Sequence, residues 1–149
     1  MTEVGFYQLA AKPLEAVLPR LLEKALAAGH RVVVRSSDEG LLARLDAALW
    51  TYDAASFLPH AVDGDHAAAQ PVLLTGDAEV ANGADVLAVV DGALPDDFAG
   101  FRRLLYLFDG GDDAALARAR QHWRGLRGRA DVSPTYWRED ETGRWAKAG

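Results

Sequence analysis

The hydrophobic positions of this chain follow two periods, one typical of amphipathic helices and one typical of buried strands. Apolar residues recur at helical spacing over residues 13–29 and again over 38–50, where Asp38 is suited to cap the helix N-terminus. The apolar runs 4–10 and 30–36 predict strands, the second rich in the valines typical of a buried parallel strand. The order strand, helix, strand, helix predicts right-handed βαβ units and a parallel sheet.

The second half of the chain continues this pattern. The apolar runs 71–76, 85–92 and 103–110 predict three more buried strands, and 103–110 is expected to be the last strand of the core. A short helix is predicted to begin within 96–101. A long helix is predicted over 112–130, with acids in its first turn and arginines in its last turn, the arrangement that the helix dipole favours.

Two segments have no clear period. Residues 51–70 hold aromatics, a proline and a turn signal, which predict a long and partly ordered connection. Residues 131–149 are expected to dock through Tyr136 and Trp137 and to fray from about residue 139. Without a linker or an internal repeat, the pattern predicts one three-layer α/β domain with a largely parallel sheet.

Composition and charge narrow the function. Lys and Arg total 16 against 22 Asp and Glu in 149 residues, a formal net charge of −6, which argues against general nucleic-acid binding. There are no cysteines for disulfides or thiolate chemistry. The N-terminus does not resemble a signal peptide, and no apolar run is long enough to span a membrane, so we expect a cytoplasmic protein.

The motifs of nucleotide-binding and catalytic sites are missing from the sequence. The first strand-to-helix turn, residues 10–15, has no glycine, and no P-loop or dinucleotide fingerprint occurs, so we expect no nucleotide site and no cofactor. Asp91, Asp96, Asp97 and Asp109 follow predicted strands and could line an active site at the carboxyl edge of the sheet. Such residues more often shape turns, and we predict no catalytic residue.

The histidines do not form a recognised metal motif. None of the four stands in an H-E-x-x-H pair, although His60, Asp63, Asp65 and His66 could gather round a metal ion. A polar surface loop is the interpretation that we favour for this segment, and no metal site is predicted.

The segment "ARARQHWRGLRGR", residues 117–129, concentrates positive charge, with five arginines and no acid. At 100° per residue, one arc of the helix carries four polar or aromatic residues beside a leucine. This basic stripe comprises Leu116, Arg120, Trp123, Arg124 and Arg127. The core-facing side comprises Ala115, Ala119 and Leu126. Arg118 and Arg129 are expected to point elsewhere, to solvent.

The basic stripe would form an apolar floor ringed by guanidinium groups, with Trp123 at the border of the core. Guanidinium forks bind carboxylates in pairs of hydrogen bonds, and an aromatic wall accepts an apolar side chain or a base. Two ligands fit, a nucleic acid and an acidic peptide that ends in a hydrophobic residue. The residues alone leave open a third interpretation, an ordinary solvated helix face.

A second cluster follows the helix at 38–50. Trp50 ends that helix, and Phe57, Pro59 and His60 come next on an irregular segment. Large aromatics beside a proline are typical of protein-binding surfaces. Periodicity alone also allows both rings to fold inward over the sheet edge.

Taken in order, these segments resemble the chi subunit family of the bacterial DNA polymerase III holoenzyme, a clamp-loader accessory protein. The resemblance covers nearly the whole chain, from "FYQLA" at 6–10 through "AGHRVVVRSSDEGLLARLDAALWTYDAASFLPH" at 28–60 to "LARARQHWRGLR" at 116–127. The most specific part is "LDxALW" at 45–50 followed by "SFxPH" at 56–60.

The resemblance implies a single Rossmann-like α/β domain over residues 1–149 that lacks a nucleotide site and is not an enzyme. The family binds the psi subunit, which ties it to the clamp loader, and the acidic C-terminal tail of single-stranded DNA-binding protein. Carried over by position, the tail site is implied at Arg120, Trp123, Arg124 and Arg127. The family commonly has an aromatic–lysine pair where this chain has Trp123 and Arg124.

The resemblance also implies a partner patch for psi at Trp50, Phe57, Pro59 and His60, which in the family can serve a helicase-like repair protein. DNA would be contacted only indirectly. The alternative function is a direct single-stranded nucleic-acid-binding module that uses the same last helix. The acidic chain and its one narrow stripe favour the adaptor, because proteins that follow a single strand need an extended groove with several stacking rings.

Overall fold

The structure, a computed structural model, describes residues 2–51, 60–62, 71–76, 82–95, 97–98 and 100–149. The chain divides into two compact units, one formed by Met1–Leu14 with Val89–Gly149 and the other by Glu15–Ala88. The predicted α/β class with a largely parallel sheet is confirmed. None of the helices in the described part of the chain is both long and apolar enough to cross a membrane.

The unit Glu15–Ala88 begins with a helix and holds the strands and helix that follow it. Its elements are α1 (Leu14–Ala27), β2 (Val32–Arg35), α2 (Glu39–Thr51), β3 (His60–Val62), β4 (Val72–Thr75) and β5 (Val86–Val89). Strand β4 pairs in parallel with β2 on one side and β3 on the other. Gly29, at φ 87°, ends α1, and the Oδ1 atom of Asp38 caps α2 by accepting from the Leu41 amide at 3.1 Å.

The other unit is built around one central strand. Its elements are β1 (Thr2–Leu9), β6 (Arg103–Asp109), α3 (Asp113–Arg127), β7 (Val132–Glu139) and β8 (Trp145–Lys147). Strand β1 pairs in parallel with β6 on one side and β7 on the other, so the crossover through α3 passes over β1. Strand β8 adds an antiparallel edge to β7. The fully buried side chains of Val4, Phe6 and Tyr106 form the core beneath α3.

Three predictions from the sequence are corrected by the structure. The irregular segment predicted over 51–70 contains β3, and the rest of it, 52–59 and 63–70, lies outside the described residues. Of the helix predicted to begin within 96–101, the described residues 97–98 and 100–101 are not helical. Strand β6 is not the last strand of the core, because β7 follows it.

The largest correction concerns the tail, which does not fray from about residue 139 but forms β7 and β8. The sequence pattern did not predict β7, because its outer face is polar and because Pro134 argues against a paired strand. The Tyr136 amide points to the outer side of β7, where it donates to the Gly149 carbonyl at 3.0 Å. Backbone nitrogens two residues apart face the same side of a strand, so the nitrogen of Pro134 also faces outward. Among the described residues, none pairs with β7 on that side at this position, so the missing N–H costs no hydrogen bond.

Candidate functional site

Helix α3 is held at both ends by local chemistry. The Oδ1 atom of Asp112 accepts from the Ala114 and Ala115 amides at 3.0 and 3.2 Å, and Gly128 forms the C-cap. The predicted core-facing side is confirmed, since Ala119 and Leu126 are buried and Ala115 is half-buried. The remaining face of the helix therefore turns away from the core.

Trp123 lies at the border between the core and the basic stripe. Its ring is half-buried, with centroids 5.5 Å from Phe6 on β1 and 5.4 Å from Tyr136 on β7, both in nearly perpendicular edge contacts. The Tyr136 hydroxyl donates to Gln8 Oε1 at 2.5 Å, which fixes the ring on which Trp123 rests. The indole therefore packs on two aromatic rings while part of it stays accessible.

The three arginines of the basic stripe are exposed. Within the described residues, Arg120, Arg124 and Arg127 form no ion pair and donate no side-chain hydrogen bond. Burial raises the pKa of Tyr136, while the charges of Arg138 and Arg120 oppose that rise. The stripe thus presents three uncompensated cations along one side of a fixed aromatic.

Arg118 and Arg129 are exposed, as predicted, and each also has a partner within the chain. Arg118 Nη1 donates to the Asp91 carbonyl oxygen at 3.3 Å. Arg129 forms two hydrogen bonds with Asp131, at 2.9 and 2.6 Å, and its guanidinium lies 5.1 Å from the centre of the Phe98 ring. These internal partners leave both arginines less available to a ligand than the stripe.

A polar pair that periodicity did not reveal lies beneath α3. The hydroxyl of the fully buried Tyr106 is 2.8 Å from His122 Nδ1. Burial raises the pKa of Tyr106 to about 12, and burial followed by the charge of Arg118 lowers the pKa of His122. His122 is therefore neutral at pH 7 and adds no charge to the helix.

The turn between β1 and α1 is an anion cradle that is filled by the chain itself. The amides of Ala10, Ala11 and Lys12 donate to Glu139 Oε1 at 2.9, 2.8 and 3.1 Å. Nucleotide-binding α/β folds hold a phosphate at this turn. This turn gathers three backbone amides without a glycine, because a single carboxylate oxygen needs less room than a phosphate.

Glu139 stays ionised although it is buried, because of these contacts. Burial alone would raise the pKa of this carboxyl, but the amides of Ala10, Lys12 and Ala11 and the charge of Lys12 hold it below its usual range. The residue is 2 % exposed. A buried carboxylate with three amide donors fastens the end of β7 to the turn that follows β1.

The predicted partner patch is described only in part. Trp50, in the last turn of α2, is 60 % exposed, as an anchor for a partner must be. Phe57 and Pro59 lie outside the described residues, and of His60 only the backbone, at the start of β3, is described. The contact among these residues therefore stays a prediction.

The other candidate sites from the sequence give no catalytic or metal geometry within the described residues. Asp91 and Asp109 accept hydrogen bonds from the amides two residues further on and shape turns. Asp96 is outside the described residues, as are Asp63, Asp65 and His66 of the candidate metal cluster. In the described part of the chain, no three His, Cys, Asp or Glu side chains stand where they could hold a metal ion.

Two comparisons with known proteins agree. A family model described as "DNA polymerase III chi subunit, HolC" matches residues 1–132, a match that stops at the first residue of β7. A curated protein of Pseudomonas aeruginosa strain PAO1, DNA polymerase III subunit chi, is 34 % identical over 80 residues. That alignment covers 52 % of this chain and 56 % of the relative, so it spans about half the length of each.

Proposed function

Because the chain belongs to the DNA polymerase III chi subunit family, whose members are replication accessory subunits, we propose that it is a non-catalytic adaptor with two protein partners. One partner is the psi subunit, through which it joins the clamp loader. The other is the acidic C-terminal tail of single-stranded DNA-binding protein, which ends in an apolar residue and a carboxylate.

The observation that carries the tail proposal is the exposed, unpaired charge beside a half-buried indole. Arg120, Arg124 and Arg127 have no ion-pair partner among the described residues, although the chain carries a net charge of −6. A carboxylate ligand would form charge-assisted hydrogen bonds with them, each worth about 1.5–3 kcal/mol. The accessible part of Trp123 would receive the apolar side chain of the same tail.

The packing of Trp123 favours a peptide over a single nucleic-acid strand. A base needs an open aromatic face for stacking, and strand-binding proteins offer several such rings along a groove. Here the indole is wedged against Phe6 and Tyr136. The cations belong to one helix of 15 residues, too short a track for many phosphates.

The proposal for psi rests on the family and on the exposure of Trp50. Trp50 is 60 % exposed, and tryptophan is enriched at binding hot spots. Phe57, Pro59 and His60 would complete the patch. A helicase-like repair protein that used the same patch would compete with psi.

A co-precipitation experiment tests the adaptor directly. The tagged chain should retain full-length single-stranded DNA-binding protein from the same organism and lose it when the last residues of that protein are removed. Retention of both forms to the same extent would contradict tail recognition. Tight binding of single-stranded DNA alone at physiological salt, without tail binding, would replace the adaptor with the nucleic-acid alternative.

A further inference from the structure

The residues after β8 remain bound to β7. Strand β8 pairs with Trp137–Glu139, and the hydrogen bonds continue beyond it. The Ala148 amide donates to the Tyr136 carbonyl at 2.7 Å, and the Tyr136 amide donates to the Gly149 carbonyl at 3.0 Å. We call residues 145–149 the strap, because they are fastened to the residue on which the Trp123 ring rests.

The strap also touches Trp123 itself. A Cβ atom built at Gly149 would lie 3.0 Å from Trp123 Cζ2 and 3.5 Å from Tyr136 Cβ, closer to the indole than real Cβ atoms normally come. The backbone at position 149 therefore sits against the benzene edge of the indole. With Phe6 and Tyr136 packed on the same ring, the strap occupies apolar surface that a ligand side chain would need.

The strap leaves the charges of the basic stripe uncovered. Arg120, Arg124 and Arg127 are exposed, and the strap forms no ion pair with them among the described residues. The cationic half of the proposed site is thus open, while its apolar half is partly filled by the chain's own backbone.

We propose that the strap is a built-in competitor that an acidic tail displaces from Trp123 when it binds. This inference rests on the proposed tail site. Its hold near the indole is modest, because two backbone hydrogen bonds at a sheet edge fasten it there and glycine contributes no side chain. The carboxylates engage the arginines first, and the apolar residue extends its contact from the accessible part of the indole to the edge under Gly149 only after the strap leaves.

A proline substitution tests this, because it removes one of the two hydrogen bonds without touching the stripe. Ala148→Pro loses the amide that donates to Tyr136. Lys147→Pro is the matched control, since hydrogen bonding alternates along an antiparallel pair and the Lys147 amide faces away from β7. Each variant is titrated with a fluorescent acidic peptide that ends in a free-carboxylate hydrophobic residue.

Ala148→Pro should bind the peptide about fivefold more tightly than the wild type, because less of the site is self-occupied. Lys147→Pro should show no gain. Equal binding by the wild type and Ala148→Pro, or an equal gain in both variants, would overturn the competitor role while leaving the tail site intact. Absence of binding by all three proteins would overturn the proposed function, and the competitor role with it.

A second readout follows the strap in the unmodified chain. In the free protein the Ala148 amide should exchange with deuterium more slowly than the outward-facing Lys147 amide, because it is hydrogen-bonded to Tyr136. Saturating peptide should speed its exchange as the strap is released. Unchanged or slower exchange in the saturated protein would show that the tail binds without displacing the strap.

Discussion

At the scale of single residues, Trp123 and Glu139 differ in how far the sequence could reveal them. The spacing of Trp123 on an amphipathic helix predicts its border position, because a helix converts a period of 3.6 directly into a face. Glu139 could not be found this way, since it meets amides 127 to 129 positions earlier in the chain. Only the parallel pairing of β7 with β1 brings these groups together.

Glu139 should make the stability of the chain depend on pH. Its folded pKa lies below its ordinary value, so its contribution is fully present above about pH 4.3, the ordinary glutamate pKa, and is lost as the pH falls through the folded pKa. Glu139→Gln keeps the shape of the side chain but removes the charge, and should lower the free energy of unfolding at pH 7 by about 1–3 kcal/mol. Urea unfolding at pH 7 and at pH 3 measures both effects.

Glu141→Gln is the control, because Glu141 is exposed in the same hairpin turn. It should leave the free energy of unfolding nearly unchanged at both pH values. This role of the Glu139 carboxylate would be contradicted if Glu139→Gln cost the same at pH 3 as at pH 7, since the stability that the charge contributes declines below the ordinary glutamate pKa.

At the scale of elements, the helices were predictable and the edges of the sheet were not. α1, α2 and α3 carry their caps and apolar faces in their own sequences, as Gly29, Asp38 and Asp112 illustrate. Strands β3 and β8 have three residues each, too few to display a period. The pairing that stabilises them comes from other segments of the chain, so no local pattern predicts it.

The basic stripe should respond to substitution as a directional site. Arg120→Ala and Arg124→Ala should each weaken tail-peptide binding by about 1.5–3 kcal/mol, the range for charge-assisted hydrogen bonds. Arg118→Ala removes the same charge from the same helix but faces Asp91, and should change the affinity by less than about twofold. Fluorescence anisotropy with one labelled peptide measures all three variants.

An equal loss from Arg118→Ala and Arg124→Ala would identify a diffuse electrostatic patch and contradict the directional site. The dependence of peptide binding on salt concentration is an independent check on the same variants. Binding should weaken with ionic strength far less steeply than it does for proteins that contact six or more phosphates.

At the scale of the whole molecule, an adaptor must bind its two partners independently. The proposed tail site and the partner patch belong to different compact units of the chain. Trp50→Ala should therefore weaken psi binding by about 2 kcal/mol or more, as hot-spot tryptophans do, and leave tail-peptide binding unchanged. Calorimetric titration with each partner in turn measures both affinities.

Arg44→Ala, an exposed change on the same helix α2, is the control and should affect neither affinity. Normal psi binding by Trp50→Ala would remove Trp50 from the partner patch. Loss of both activities in Trp50→Ala would indicate a general effect on the fold rather than a partner contact.

In the proposed adaptor, the basic stripe recognises the carboxylate end of an acidic tail. The most direct measurement compares the affinity of the wild-type chain for one tail peptide with a free carboxylate and for the same peptide with an amidated end. Amidation removes the group that the arginine fork would bind, and should weaken binding by about tenfold or more. Equal affinity for the two peptides would contradict recognition of the tail carboxylate by the basic stripe.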